Sequence, residues 1–280
     1  MTRPDILVMY PTRDKAMAQL EEAYALHRLD QADDKAAFLA EHGPLCMGIV
    51  TNGHAALTRN DLDHLPRLEI VACSSAGFDK IDVDALRDRG IAFTNTSDAL
   101  YDDVADTALM LTLATRRQLV QAHAYVTSGD WGRKGMYPLL SCIRGKRAGI
   151  LGLGQIGQAI ASRFELLGLE IGYCTRRSKD APYRYFQDAT ALADWADIFV
   201  IAIPGGPDTV GLVDAALLAA LGPQGTLINI ARGTIVDEPA LVDALSAGKL
   251  GSAGLDVFLN EPTPDPALTA LPNVTLYPHH

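Results

Sequence analysis

Short apolar runs alternate with amphipathic stretches over roughly the first hundred residues. Residues 5–10, 46–51, 69–74 and 91–94 read as buried strands, with helical patterns between them. Strand and helix in alternation predict a parallel sheet covered on both faces, because parallel strands need long crossovers and the crossover helices hide the sheet. From 99 to 128 the pattern becomes helical throughout. Val104, Ala105, Ala108, Leu109, Leu111, Leu113 and Ala114 are too densely apolar for a solvated helix, so this stretch is expected to pack between domains. A loop rich in glycine and basic residues, 129–146, follows with Trp131, Gly132, Gly135, Pro138 and Gly145.

A second alternation then begins. Residues 147–151, 169–174, 198–204, 226–231, 252–257 and 274–277 read as strands, and 155–167 and 239–247 as helices. No short-period repeat is present. A chain of 280 residues exceeds one ordinary domain, and the pattern predicts two α/β domains with parallel sheets, 1–97 and 98–280.

Composition narrows the partners. At 48% hydrophobic and 21% charged, the chain reads as a soluble globular protein. A net charge of -10 argues against nucleic acid or an anionic membrane as a general partner, so an anionic ligand must meet a local basic patch. There is no 18-residue apolar run and no signal-peptide pattern at the start, which makes the expected location cytoplasmic. Cys46, Cys73, Cys142 and Cys174 form no CxxC pair and no Cys/His cluster with zinc spacing. They are expected to be buried free thiols, and no metal is expected.

Gly152-Leu153-Gly154-Gln155-Ile156-Gly157 fits GxGxxG between an apolar strand and an amphipathic helix. The first glycine permits a tight turn, the second lets backbone approach a pyrophosphate, and the third lets helix and strand pack closely; the helix start adds amide donors and a positive dipole. About 20 residues on, where NAD-binding versions place an acid for the ribose diol, the strand ends Tyr173-Cys174-Thr175-Arg176-Arg177-Ser178. Guanidinium forks match a phosphate, so NADP is expected over NAD. The competing reading is two solvated surface arginines.

Three polar residues follow later strands, at the ends where open α/β sheets bind ligands. Arg232 can grip a substrate carboxylate and polarise the adjacent carbonyl, or form an interdomain salt bridge. Glu261 and His279 can share one cleft, where a carboxylate on an imidazole fixes the ring and supports proton delivery. Read alone, His279-His280 also suits a tag remnant or loop histidines.

From about Leu65 onward these residues resemble the D-isomer-specific 2-hydroxyacid dehydrogenase family. Ser75-Ala76-Gly77-Phe78-Asp79-Lys80-Ile81-Asp82 is similar to its substrate-domain loop, whose backbone holds the substrate carboxylate. Asn95-Thr96 and Val104-Ala105-Asp106-Thr107 resemble its hinge strand and the helix beside the nicotinamide. The run from Ile230 to Glu238 resembles the arginine signature, that from Ala253 to Pro262 the glutamate signature, and Pro278-His279 the pair carrying the proton donor.

The resemblance implies Arg232, Glu261 and His279 as catalytic residues, Ser75, Ala76 and Gly77 as substrate contacts, and Pro204, Ile230 and Asp256 on the cofactor side. It also implies a flavodoxin-like substrate domain beside a Rossmann-like dinucleotide-binding domain, a hinge near 95–100, and a homodimer through the long helix and following loop. The Ser-Ala-Gly-Phe-Asp-Lys and Thr-Arg-Arg-Ser segments look most like NADPH-dependent glyoxylate and hydroxypyruvate reductases, with a D-2-hydroxy acid as product. The alternatives are an NAD-dependent dehydrogenase of the same fold and a non-catalytic, nucleotide-sensing corepressor-like protein. Relatives continue past the histidine with an apolar residue, Gly, Ser and a helix returning to the first domain. Such a segment is therefore expected to complete residues 1–97, and the chain reads as truncated after His280.

Overall fold

Strands β1 (Asp5–Val8), β2 (Ala25–Arg28), β3 (Gly48–Thr51), β4 (Ile70–Cys73) and β5 (Ala92–Thr94) pair in parallel in the order β2-β1-β3-β4-β5. That is the strand order of the flavodoxin-like fold. The structure, a computed structural model, describes residues 3–53 and 55–279. Helices α1 (Asp14–Ala23), α2 (Lys35–His42), α3 (Arg59–Leu62) and α4 (Val83–Asp88) belong to the same sheet. Leu7, Ile49 and Val71 are buried from it with Leu57, Leu62 and Leu86. Strand β2 escapes the sequence pattern because every residue in it is only half-buried, giving neither an apolar run nor an alternation. Asp5 and His27 tie it to β1 through a 2.8 Å hydrogen bond.

The chain divides into two compact units, Met1–Leu100 and Tyr101–His280, with the division in the first turn of α5 (Ser97–Arg116). The second unit continues with α6 (Leu119–Thr127), α7 (Asp130–Lys134), β6 (Arg147–Leu151), α8 (Gln155–Leu166), β7 (Glu170–Cys174), β8 (Arg184–Phe186) and α9 (Ala189–Trp195). Then come β9 (Ile198–Ile201), α10 (Ala215–Leu221), β10 (Thr226–Asn229), α11 (Glu238–Ser246), β11 (Ser252–Leu255), α12 (Pro266–Thr269) and β12 (Val274–Leu276). Its seven strands are all parallel, in the order β12-β11-β10-β9-β6-β7-β8.

Burial on both faces explains the unbroken apolar strands. Ile150, Tyr173, Val200 and Ile228 pack with Phe164 of α8 and with Ala105, Ala108 and Leu111 of α5. Phe199, Ile201, Leu227 and Leu255 pack with Leu192, Leu217, Leu218 and Leu241. Several of the chain's aspartates do structural work at helix starts. Asp188, Asp214, Asp237 and Asp265 each accept a hydrogen bond from an amide in the first turn of α9, α10, α11 and α12, a bond whose loss costs about 1 kcal/mol.

Several expectations need correction. The helical stretch 99–128 is two helices, because Gln118 takes a left-handed conformation (φ 47°) that ends α5 and starts α6. The loop 129–146 contains α7, held by Asp130 to Arg133 and Lys134 at 2.6 and 2.8 Å in i,i+3 and i,i+4 pairs. Cys142 is exposed, while Cys46, Cys73 and Cys174 are buried free thiols as expected. Strands β9, β10 and β11 stop before their apolar runs do, and residues 202–204, 230–231 and 256–257 leave the sheet. No helix among the described residues is long and apolar enough to cross a membrane.

Candidate active site

The chain leaves β6 towards β7 and β8 on one side of the sheet and later builds β9 to β12 on the other, so the order reverses between β6 and β9. Ligands of open α/β sheets bind at such a reversal, outside the carboxyl ends of the strands. The loop 152–154 lies there. Gly152 has φ 100°, and a Cβ on it would stand 2.5 Å from the Ala202 carbonyl oxygen after β9. A Cβ on Gly157 would stand 2.0 Å from the Gly152 oxygen, so α8 approaches the loop as closely as backbone allows.

Gly154 differs: a Cβ there would meet nothing within 4 Å. It is the N-cap of α8 and supplies no side-chain cap, leaving the amides of the helix start directed outward beside Gln155 and the half-buried Ile156. Open space before uncapped helix amides fits a pyrophosphate. Leu153 is buried, and its carbonyl accepts from Lys179 Nζ at 2.7 Å and Gln158 Nε2 at 3.3 Å.

Beyond β7 the tip segment is a closed loop. Thr175 Oγ1 donates to the Arg177 carbonyl at 2.7 Å, and Tyr185 OH donates to the Thr175 carbonyl at 3.3 Å. The hydroxyl of Tyr173, a fully buried residue, accepts from the Lys179 amide at 2.9 Å, donates to the Lys179 carbonyl at 3.1 Å and lies 3.4 Å from Ser178 Oγ. Arg176 and Arg177 are exposed, and neither guanidinium makes a hydrogen bond or ion pair among the described residues. A pair of idle cations on a rigid loop suits an anionic ligand better than it suits a salt bridge.

At the other half of the sheet, buried Asn229 ends β10 and fixes the turn after it. Its Oδ1 accepts from the Ala231 amide at 3.0 Å and its Nδ2 donates to the Arg232 carbonyl at 2.9 Å. Ile230 and Ala231 are buried beneath this turn, and half-buried Arg232 extends from it with Nη1 2.6 Å from the Ala231 carbonyl. Gly233 follows because nothing larger fits: a Cβ would stand 1.9 Å from the Phe258 carbonyl carbon. This contact seats the arginine turn on the loop after β11. That loop carries buried Asp256, whose amide donates to the Asn229 carbonyl at 2.9 Å.

Glu261 closes the loop with both oxygens. Oε1 accepts from the Phe258 amide at 2.9 Å and Oε2 lies 2.7 Å from His279 Nδ1. Buried Glu238 accepts from the Leu259 amide at 3.0 Å and braces the same segment. The structure thus joins Glu261 to His279, which occupies a left-handed conformation (φ 51°) just past β12. Pro204 sits exposed past β9. The sequence alone assigns no role to Asn229, Gly233, Glu238, Tyr173 or Lys179. A polar residue inside an apolar strand was the available signal for Asn229.

In the first unit, residues 75–77 follow β4. Ser75 Oγ accepts from the Gly53 amide at 2.7 Å and donates to the Gly77 carbonyl at 2.8 Å, while Asn95 Nδ2 and Ser97 Oγ each donate to the Ala76 carbonyl at 3.2 Å. With the carbonyls so occupied, the Ala76 and Gly77 amides donate to no group among the described residues.

Residues 109–280 match the family model described as D-isomer specific 2-hydroxyacid dehydrogenase, NAD binding domain. The chain is 38% identical over 279 residues to a 2-ketogluconate reductase of Gluconobacter oxydans, covering 99% of the chain and 88% of the relative. It is 41% identical over 275 residues to a glyoxylate/hydroxypyruvate reductase of Arabidopsis thaliana, covering 98% and 88%. Among solved structures it resembles a 2-hydroxyacid dehydrogenase from Ketogulonicigenium vulgare (TM-score 0.92, 41% identity, 100% and 89% covered). It also resembles an NADPH-dependent glyoxylate/hydroxypyruvate reductase from Sinorhizobium meliloti, solved with NADP and malonate (TM-score 0.88, 40% identity, 99% and 86% covered). The chain belongs to the D-isomer-specific 2-hydroxyacid dehydrogenase family, and so to the oxidoreductases that depend on a nicotinamide dinucleotide.

Proposed function

We propose that this chain reduces small 2-keto acids, glyoxylate and hydroxypyruvate among them, to D-2-hydroxy acids with NADPH. The observation that carries the reaction is the 2.7 Å contact of His279 with Glu261, next to a turn that presents Arg232. NADPH, when bound, supplies the hydride for the keto carbon. Gly152 to Gly157 hold the pyrophosphate, Thr175 to Ser178 the adenosine 2′-phosphate, and Pro204, Ile230 and Asp256 border the cofactor. His279, oriented by Glu261, holds a proton for the ketone oxygen. Arg232 supplies a planar fork to the substrate carboxylate and to the charge that grows on that oxygen. Ser75, Ala76 and Gly77, a segment with two idle amides, are assigned to substrate binding.

The test is a 2-keto acid panel with NADPH and NADH, repeated with Arg232→Ala and His279→Ala. Preference for NADPH and loss of turnover in both variants are expected. Equal use of NADH supports the NAD-dependent alternative, and cofactor binding without turnover of any 2-keto acid supports a nucleotide-sensing role. The same reading makes the chain a homodimer. Leu119, Val120, Trp131, Met136 and Leu139 are exposed by 57% to 93%, an apolar surface that suits a second copy and that sedimentation would detect. Four unpaired cysteines suit a reducing compartment, here assigned as the cytoplasm.

A further inference from the structure

The mooring of the arginine loop carries the argument one residue further. Lys179 lies just past Arg176 and Arg177 in the chain, its side chain is exposed, and its ammonium donates at 2.7 Å to the Leu153 carbonyl inside the phosphate loop. An ammonium has three donors, and the Leu153 oxygen is the acceptor the structure gives it. Its backbone is held at both amide and carbonyl by the buried hydroxyl of Tyr173. Lys179 therefore bridges two segments, one suited to a pyrophosphate and one suited to a ribose substituent, and brings a formal charge to their junction.

We propose that Lys179 is a specificity-determining residue for the adenosine 2′-phosphate, adding a third positive charge to those of Arg176 and Arg177 and fixing their loop against the phosphate loop. The proposal rests on the NADP reading above. A 2′-phosphate brings close to two negative charges near neutral pH, more than a single guanidinium offsets. A ribose diol has no charge to meet, so the ammonium favours only the phosphorylated nucleotide.

Calorimetric titration of the unmodified protein and of Lys179→Met, Lys179→Arg and Tyr173→Phe with 2′,5′-ADP and with 5′-AMP reads this without turnover. Hydrogen bonds to charged groups and salt screening together set an expected loss of about tenfold in 2′,5′-ADP affinity for Lys179→Met, with 5′-AMP within about twofold. Lys179→Arg should retain most of the affinity. Tyr173→Phe, which frees the loop, should weaken 2′,5′-ADP more than 5′-AMP. If the unmodified protein separates the two nucleotides and Lys179→Met separates them equally well, the role of Lys179 is overturned while the NADP reading stands. Equal weakening of both nucleotides by Lys179→Met also overturns it. If the unmodified protein itself binds the two alike, the NADP reading falls and the proposal falls with it.

Discussion

Gly154→Ala and Gly157→Ala change the same motif by the same methyl group and should act on different properties, nucleotide binding and stability. At Gly154 the backbone (φ -75°, ψ -162°) lies in a region alanine adopts freely, and the new Cβ meets nothing within 4 Å. Replacing glycine at a compatible position restricts the unfolded chain and stabilises by about 0.4–1 kcal/mol, but Gly154 is the N-cap of α8, where alanine caps worse than glycine by about the same amount, so the two effects offset. For a unit of this size the Tm without nucleotide therefore stays within about 2 °C of the parent. On the proposed function, however, the methyl group occupies the space a pyrophosphate needs, and overpacking of about 1–3 kcal/mol should weaken NADPH by about 5- to 150-fold. At Gly157 the Cβ would stand 2.0 Å from the Gly152 oxygen, so α8 must move. The same overpacking cost now falls on the protein itself, lowering Tm by about 3–10 °C. Calorimetry without nucleotide and fluorescence titration with NADPH measure both effects. A Tm loss for Gly154→Ala as large as that for Gly157→Ala, or NADPH affinity within twofold of the parent, would refute the reasoning.

Three further outcomes follow from the geometry. His279→Gln should lower kcat by about 10²–10⁴-fold, the usual worth of a positioned acid, and Glu261→Gln by less, because glutamine still accepts from the Phe258 amide; similar KM values with an intact kcat would remove both from the chemistry. A thiol reagent at about pH 8 should label Cys142 first and leave Cys46 untouched until unfolding, since burial and the nearby Asp5 push the Cys46 thiol up to about 11. That raised value also makes the fold lose stability as pH climbs from about 9 through about 11, an effect that Cys46→Ala abolishes. Burial opposes ionisation of Asp197, but the Arg147 amide and Lys146 outweigh it and hold the carboxyl below its ordinary value. Its contribution is present above the unfolded pKa and fades as pH falls through the folded one, so Asp197→Asn should flatten the decline of Tm as pH falls from about 5 through and below the ordinary carboxylate value. An unchanged acid limb would count against that ion pair.

The interior strands were legible because burial on both faces leaves continuous apolar runs, and β6 begins and ends where its run does. Two of the four edge strands were not. Half-buried β2 and the Arg-Tyr-Phe strand β8, with Arg184 over Phe186, present surfaces that the hydrophobic pattern does not distinguish from loops. Gln118 broke a helix that composition ran together, since a left-handed glutamine leaves no mark in periodicity. In the site, the motif glycines announced themselves by spacing, whereas Asn229 and Glu238 act through backbone amides and carbonyls that only the folded chain brings near.

The order of the larger sheet has a consequence for how such an enzyme is altered. Three strand spacings of about 4.8 Å, roughly 14 Å in all, separate the tip of β7, with Arg176 and Arg177, from the end of β10, with Arg232. On the proposed function, coenzyme choice and reaction chemistry fall to separate parts of one scaffold. A short exchange at residues 175–179 should then convert the nucleotide preference without redesign of the reacting end, and new substrates should be open to search around Arg232 without loss of the chosen coenzyme.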